Sequence, residues 1–258
     1  MRGRGAVAVL AAAVLAAGAA GCGGADARSA GDRPALTVSA AASLQQAFTR
    51  YAGDFRAATV RTQFAGSDEL AAQIRQGVRP DVFAAADTKL PDELHADGLV
   101  ERPVVFARNR LVLAVPAGSP IRSPADAARP GTKLAVGSRG VPVGDYARAV
   151  LDRLPAAERA GLLAAVRTEE PDVKGVVGKL LQGAVDAGFV YVTDVRAAGG
   201  RLRAVELPAA ARPSVAYGAA VVRGSAHPRA ARAFVAGLLH GGGRAALRAA
   251  GFEPPGPR

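Results

Sequence analysis

Tryptophan is absent from the 258 residues, the only methionine is the first residue, and there are one cysteine and three histidines. A lone cysteine excludes an internal disulfide and a cysteine-based zinc site. His95, His227 and His240 share no metal-ligand spacing and fall at helix ends or in late helices, which suits surface histidines. There is no phosphate-binding P-loop and no Gly-x-Gly-x-x-Gly behind a strand, so nucleotide chemistry and His- or Cys-based catalysis have little to work with. Aromatic residues make up only 5% of the chain, with no stacking platform and no dense Lys/Arg cluster, which argues against nucleic acid as a partner.

What is present begins with a leader. Arg2 and Arg4 precede an apolar run from Ala6 to Ala17, too short to span a bilayer, and small residues follow up to Gly21. Residues 1–21 therefore read as a secretion signal. Cys22, directly after Ala19-Ala20-Gly21, resembles the lipobox cysteine of bacterial lipoproteins, although position 19 is Ala where the lipobox usually has Leu. That resemblance implies lipidation at Cys22 with more than one acyl chain, enough for stable anchoring, and makes residues 22–34 a flexible tether. An ordinary signal with a chance cysteine is the alternative. The formal charge of +11 loses two positive charges with Arg2 and Arg4, and the remainder is still basic, which favours encounter with small anions.

The body alternates strand and helix patterns. Leu36 and Val38 open a strand, and Leu44, Phe48, Tyr51 and Phe55 then recur at helical spacing. A second unit runs from Val60 through Phe64 to a helix opening at Ser67, with Asp68 and Glu69 in its first turn. A third runs from Asp81 through a short buried strand to the cap Asp87 and a helix to His95. Such alternation predicts a parallel sheet covered on both faces. After the apolar stretch Leu111 to Val115, strands are expected at Lys133 to Val136, Ala164 to Thr168, Ala187 to Val192, Leu202 to Leu207 and Val215 to Val222. Helices are expected at Gly144 to Leu154 and Val173 to Leu181, and two more, Pro228 to Leu239 and Arg244 to Ala250, close the chain. The fold class predicted is α/β in two lobes with a cleft between them: residues 35–112 and 223–258 form the first lobe and 113–222 the second. Clefts at the carboxyl ends of such strands are where α/β folds take ligands.

Neutral hydrogen-bond donors stand at five strand-to-helix junctions. These are Ser43, Ser67, Val143 within Pro142-Val-Gly144, Val173 after Asp172, and Tyr191 near a strand's end. Each has a structural explanation of its own. Ser43 with Gln46 matches a capping box, Val143 and Val173 suit apolar contacts, and Tyr191 suits a core aromatic.

Taken together, Ala40-Ala-Ala-Ser-Leu44, Phe64-Ala-Gly-Ser-Asp-Glu-Leu70, Asp81-Val-Phe-Ala-Ala-Ala-Asp87, Val141-Pro-Val-Gly-Asp-Tyr146, Asp172-Val-Lys174 and Gly188-Phe-Val-Tyr191 resemble the bacterial molybdate-binding proteins of ABC transporters, members of the periplasmic solute-binding class. The resemblance extends from about Leu36 to Phe252. It implies a two-lobed periplasmic-binding-protein fold, type II-like, with a tetrahedral oxyanion held by Ser43 and Ser67 of one lobe and by Val143, Val173 and Tyr191 of the other. It also implies molybdate or tungstate as ligand, no cofactor and no catalysis. The partners it implies are an ABC permease and the membrane reached through the lipid anchor; a monomeric, extracytoplasmic protein is expected. The sequence departs from the family at Val143, where Ala is frequent, at Thr193, where Ser is common, and at Gly66, which replaces a small polar residue. A binding protein for sulfate or another small oxyanion is the alternative in the same class. A secreted phosphoester hydrolase is the alternative in another.

The donor set suits that ligand. Molybdate and tungstate carry no proton near neutral pH, so their oxygens only accept. A lining of buried donors would leave the proton of hydrogen phosphate unpaired, at a cost of about 1–3 kcal/mol. Sulfate shares charge and shape, and only cavity size separates it.

Overall fold

The structure, a computed structural model, describes residues 33–256. The predicted signal, the lipidation site Cys22 and nearly all of the predicted tether lie outside the described residues. Two five-stranded sheets organise the rest, and each gathers helices on its faces.

The first sheet has the order β2-β1-β3-β10-β4, built from β1 (Ala35–Ala41), β2 (Thr59–Ala65), β3 (Val82–Ala85), β4 (Val104–Asn109) and β10 (Val215–Val221). Its centre is apolar throughout, since every residue of β3 is buried. One face carries α1 (Gln45–Asp54) with the C-terminal helices α9 (Pro228–His240) and α10 (Gly242–Ala250). Phe48, Tyr51 and Phe55 recur at helical spacing along α1 and its C-cap and meet Phe234 of α9 with ring centroids 5.7, 4.5 and 5.3 Å away, while the Tyr51 hydroxyl donates to the Phe234 carbonyl at 3.1 Å. Gly243 lets the helices close on that tyrosine, because a Cβ there would stand 2.8 Å from Tyr51 Cε1. The other face carries α2 (Ser67–Arg75) and α3 (Lys89–Ala96), which bury Leu70, Ile74 and Leu94 against Phe83.

The second sheet has the order β7-β6-β8-β5-β9, from β5 (Leu111–Pro116), β6 (Leu134–Gly137), β7 (Val166–Glu170), β8 (Ala187–Tyr191) and β9 (Leu202–Val205). Its helices are α4 (Pro124–Ala127), α5 (Pro142–Leu151), α6 (Ala156–Ala165), α7 (Val173–Leu181) and α8 (Val192–Ala197). Helix α6 occupies residues for which the sequence pattern predicts no helix, and β7 starts at Val166, two residues later than expected.

Both sheets are mixed, where the sequence pattern predicts a parallel one. In the first, β10 is antiparallel to β3 and β4; in the second, β5 is antiparallel to β8 and β9. These are the two strands by which the chain enters a sheet from the other one. They start where their neighbours end, so they run the other way. The expected lobe boundaries move for the same reason. All of β5 from Leu111 belongs to the second sheet, and β10, expected in the second lobe, pairs in the first. An apolar run such as Val215 to Val221 carries no mark of its direction or of its sheet. Among the described residues no helix is long and apolar enough to cross a membrane.

Candidate functional site

The carboxyl ends of β1, β2 and β3 face those of β6, β7 and β8 across a narrow cleft with a cavity volume of about 10 Å³. Its walls are Ala41 to Ser43, Ala65 to Ser67 and Ala86 from the first sheet, with Val141 to Val143, Asp172, Val173 and Tyr191 from the second. A volume of that size has room for about one water molecule and is far below the ~300 Å³ at which pockets for drug-sized organic solutes begin, so only a very small solute fits between the walls as they stand. All five sequence-predicted donors lie on it. The side chains nearest them are small: Ala41, Ala42, Ala65 and Ala86 let backbone and hydroxyl groups reach the space.

Ser43 does not cap a helix. It sits inside a short 3-10 turn, Ala42–Leu44, and neither this turn nor α1 has a side-chain cap, so the expected Ser43–Gln46 capping box is not formed. The Ser43 hydroxyl oxygen instead accepts from the Tyr217 hydroxyl at 3.0 Å. Ser67 is the first residue of α2, after Gly66 at the cap position, and its oxygen accepts from the Ala86 N–H at 3.1 Å. Each serine is thus an acceptor toward the protein, which leaves its own proton to point elsewhere.

The second sheet contributes amides. Pro142 opens α5 and has no N–H, so Val143 presents the first amide of that helix. Asp172 caps α7, and its Oδ1 accepts from Lys174 N–H at 2.7 Å and Gly175 N–H at 3.0 Å. The amide it leaves over is that of Val173. Helix N-termini also bring partial positive charge, so α2, α5 and α7 favour an anion here. Among the described residues no Lys or Arg lines the cleft, and the carboxylate on it, Asp172, is turned to its own helix.

Tyr191 ends β8 and is 1% exposed, yet its hydroxyl has no hydrogen-bond partner among the described residues. A buried hydroxyl without a partner costs about 1–3 kcal/mol, so an acceptor from outside the chain fits there. Burial, first, and neighbouring Tyr217 push the phenol well above its ordinary value and keep it a donor. The backbone of Tyr191 is pinned, with its N–H donating to Asp194 Oδ2 at 3.3 Å. Burial raises the Asp194 carboxyl, and Lys174 opposes that through a 2.8 Å contact between Nζ and Oδ1.

The sequence reading missed Tyr217, Asn109, Lys174 and Asp194 as supports of the site. Tyr217 is a phenol in the middle of an apolar strand and Asn109 a polar residue at the end of another, which are the only signals the sequence offers. The histidines stay away from the cleft: His95 Nδ1 lies 3.1 Å from the Val100 carbonyl, and His227 and His240 stand at the two ends of α9. Among the described residues no group of three His, Cys, Asp or Glu side chains is placed to hold a metal ion.

Residues 36–253 match the family model described as bacterial extracellular solute-binding protein. The molybdate-binding protein ModA of Mycobacterium tuberculosis (strain ATCC 25618 / H37Rv) is 39% identical over 227 residues, 85% of each chain. Two solved structures share the fold. The periplasmic molybdate-binding protein of Azotobacter vinelandii has a TM-score of 0.74 at 21% identity, covering 86% of this chain and 100% of that one. The sulfate-binding protein SubI of Mycobacterium tuberculosis H37Rv has 0.75 at 21% identity, covering 87% and 88%.

Proposed function

Because this chain belongs to the bacterial extracellular solute-binding proteins, we propose that it captures molybdate outside the cytoplasm and delivers it to an ABC importer. The observation that carries the choice of ligand is the lining of the cleft. Hydroxyls of Ser43, Ser67 and Tyr191 and amides of Val143 and Val173 converge on a small space with no side-chain cation among the described residues. Every one of these groups donates, and the Tyr191 hydroxyl has no partner among the described residues. A fully deprotonated tetrahedral dianion satisfies such a set, whereas hydrogen phosphate brings a proton that these five groups, acting as donors, do not receive.

Tungstate, with the same charge, shape and acceptor oxygens, is the second ligand of this reading. Sulfate is the rival, since the sulfate-binding structure shares the fold. Charge-assisted hydrogen bonds contribute about 1.5–3 kcal/mol each, so these five, less desolvation and closure costs, leave affinity between about micromolar and nanomolar. Donors on both sheets mean that the ligand favours lobes held together, the form a permease would recognise. Lipidation at Cys22 would keep the monomer at the membrane near that permease. This reading is of a solute-binding protein and not an enzyme, and it is supported by the two serine oxygens, which accept from the Ala86 N–H and from the Tyr217 hydroxyl among the described residues.

A thermal-shift panel of molybdate, tungstate, sulfate and phosphate tests the ligand. A solute at 100 times its Kd stabilises by about 2.7 kcal/mol. Stabilisation by molybdate and tungstate at low concentration is expected; a response to sulfate or phosphate alone overturns the assignment. Ser43→Ala with Ser67→Ala should abolish the molybdate response.

A further inference from the structure

A chain of hydrogen bonds with one polarity runs from the strand junction into the cleft. Its origin is Arg110, in the single-residue step between β4 and β5 where the chain passes from the first sheet to the second. The Arg110 N–H donates to Asn109 Oδ1 at 2.9 Å, which fixes which end of the Asn109 amide faces inward. The Asn109 Nδ2 group, with no acceptor capacity, points at Thr193 Oγ1 (2.9 Å) and the Tyr217 hydroxyl oxygen (3.4 Å). Tyr217 then donates to Ser43 at 3.0 Å. All of these side chains are buried, Tyr217 completely, so water does not compete for them. A phenol has one proton. With Asn109 able only to give, that proton goes to Ser43, and the proton of Ser43 is left for the cleft.

Resting on the reading of the cleft as an oxyanion site, we infer that Asn109 and Tyr217 are positioning residues that hold Ser43 as a donor, and so select solutes that carry no proton. Neither touches the ligand. Burial keeps the Tyr217 phenol protonated, as the relay requires. The direction is set by a backbone amide, which cannot turn over. Exchanging the Asn109 amide for a carboxylate reverses it: the new carboxylate would accept from Tyr217, the Tyr217 oxygen would accept from Ser43, and Ser43 would show the cleft a lone pair.

The test is a double-mutant cycle on the full mature protein, with Tyr217→Phe, Asn109→Asp and the pair, read by calorimetric titration with molybdate and with phosphate at pH 7. Tyr217→Phe should weaken molybdate about 5- to 10-fold, one hydrogen bond's worth, while phosphate holds or tightens. Asn109→Asp should weaken molybdate about 100-fold in the wild-type background and no more than about 3-fold beside Tyr217→Phe, because the relay that transmits it is gone. Thr193→Val, which removes the other partner of Asn109 and leaves the relay whole, should change both affinities less than about 3-fold and serves as the packing control. Parallel loss of molybdate and phosphate in Tyr217→Phe, or additive effects in the cycle, overturns the proposal. A wild-type protein that takes sulfate and not molybdate overturns the choice of solute instead, and the cycle run with sulfate then decides the relay by the same coupling.

Discussion

The rings of Tyr191 and Tyr217 meet edge to face, centroids 5.9 Å apart at 65°, and only one of the two hydroxyls is satisfied among the described residues. Tyr217 belongs to the first sheet and Tyr191 to the second, so the pair bridges the sheets beside the cleft. The satisfied phenol steers a serine, and the unsatisfied one awaits an acceptor.

Removing that unsatisfied hydroxyl should therefore have opposite effects on folding and on binding. Tyr191→Phe deletes a buried donor without a partner and keeps the ring contact, so the empty protein should gain about 1 kcal/mol in urea denaturation. Molybdate affinity should fall about tenfold or more, since a donor to a charged ligand is lost. Loss of stability in the empty variant would mean that the hydroxyl already has a partner.

Gly66 marks how closely the two walls approach. A Cβ on it would lie 2.7 Å from the Pro171 carbonyl oxygen of the opposite wall and 2.7 Å from Asp68 Oδ1. Gly66 has a φ that any residue adopts, so the constraint is space and not backbone conformation. Gly66→Ala should fold normally, bind molybdate about tenfold more weakly or worse, and show less compaction on adding ligand in small-angle scattering. Unchanged affinity would show that the walls are free to part at no cost.

The strand-to-helix junctions were legible in the sequence because each has a local signature: a short apolar alternation, small residues, then a cap or a proline. All five predicted donors reach the cleft for that reason. What the sequence concealed is long-range. Tyr217 and Ser43 are 174 residues apart, and a phenol inside an apolar strand reads as core. The same blindness put β10 in the wrong lobe, since hydrophobic pattern reports burial and is silent on strand direction. Ser43 shows a subtler failure, where a favourable cap residue is diverted to tertiary bonding by a partner no local rule supplies.

Lys174 follows the proposed amide donor Val173, and its side chain crosses to Asp194, which anchors Tyr191. Asp194 is nearly inaccessible, and its charge is met by this ammonium group at 2.8 Å. Removing the lysine leaves a buried carboxyl without its partner, but the ammonium is one-third exposed and the raised Asp194 carboxyl can take up a proton, so the cost stays below the ~3–5 kcal/mol of a fully buried pair. Lys174→Met should lower stability by about 1–3 kcal/mol in denaturant titration. Asp194→Asn in the same chain should recover part of it, because the neutral amide leaves no charge to strand and still offers an acceptor to the Tyr191 N–H. A double variant no better than the single would show that the loss came from packing of the lysine stem.

Asp87, in the turn after β3, gives the empty protein a distinct response to pH. Burial, first, raises its carboxyl to about 6; its bond from the Leu90 N–H at 3.2 Å and the charge of Lys89 oppose this, while Glu93 and, from α5 of the second sheet, Asp145 add to it. The unfolded chain releases this proton near pH ~4, its ordinary value. Between about pH 4 and 6 the folded protein therefore holds a proton that the unfolded chain has lost. Stability from this group falls as pH rises through that window and is level above it. Asp87→Asn removes the dependence, so the variant should exceed the wild type by about 1–3 kcal/mol at pH 7, with the difference shrinking toward pH ~4. Urea titrations followed by circular dichroism at several pH values measure it, and taking variant minus wild type cancels carboxylates such as Glu101, whose value Arg232 holds low. Asp145 reaches Asp87 from the opposite sheet, so ligand-driven closure should increase proton uptake. Calorimetric titration near pH ~6 in two buffers of different ionisation enthalpy should show a fraction of a proton bound per molybdate in the wild type and less in Asp87→Asn. Equal uptake in the two proteins would place the linked proton elsewhere.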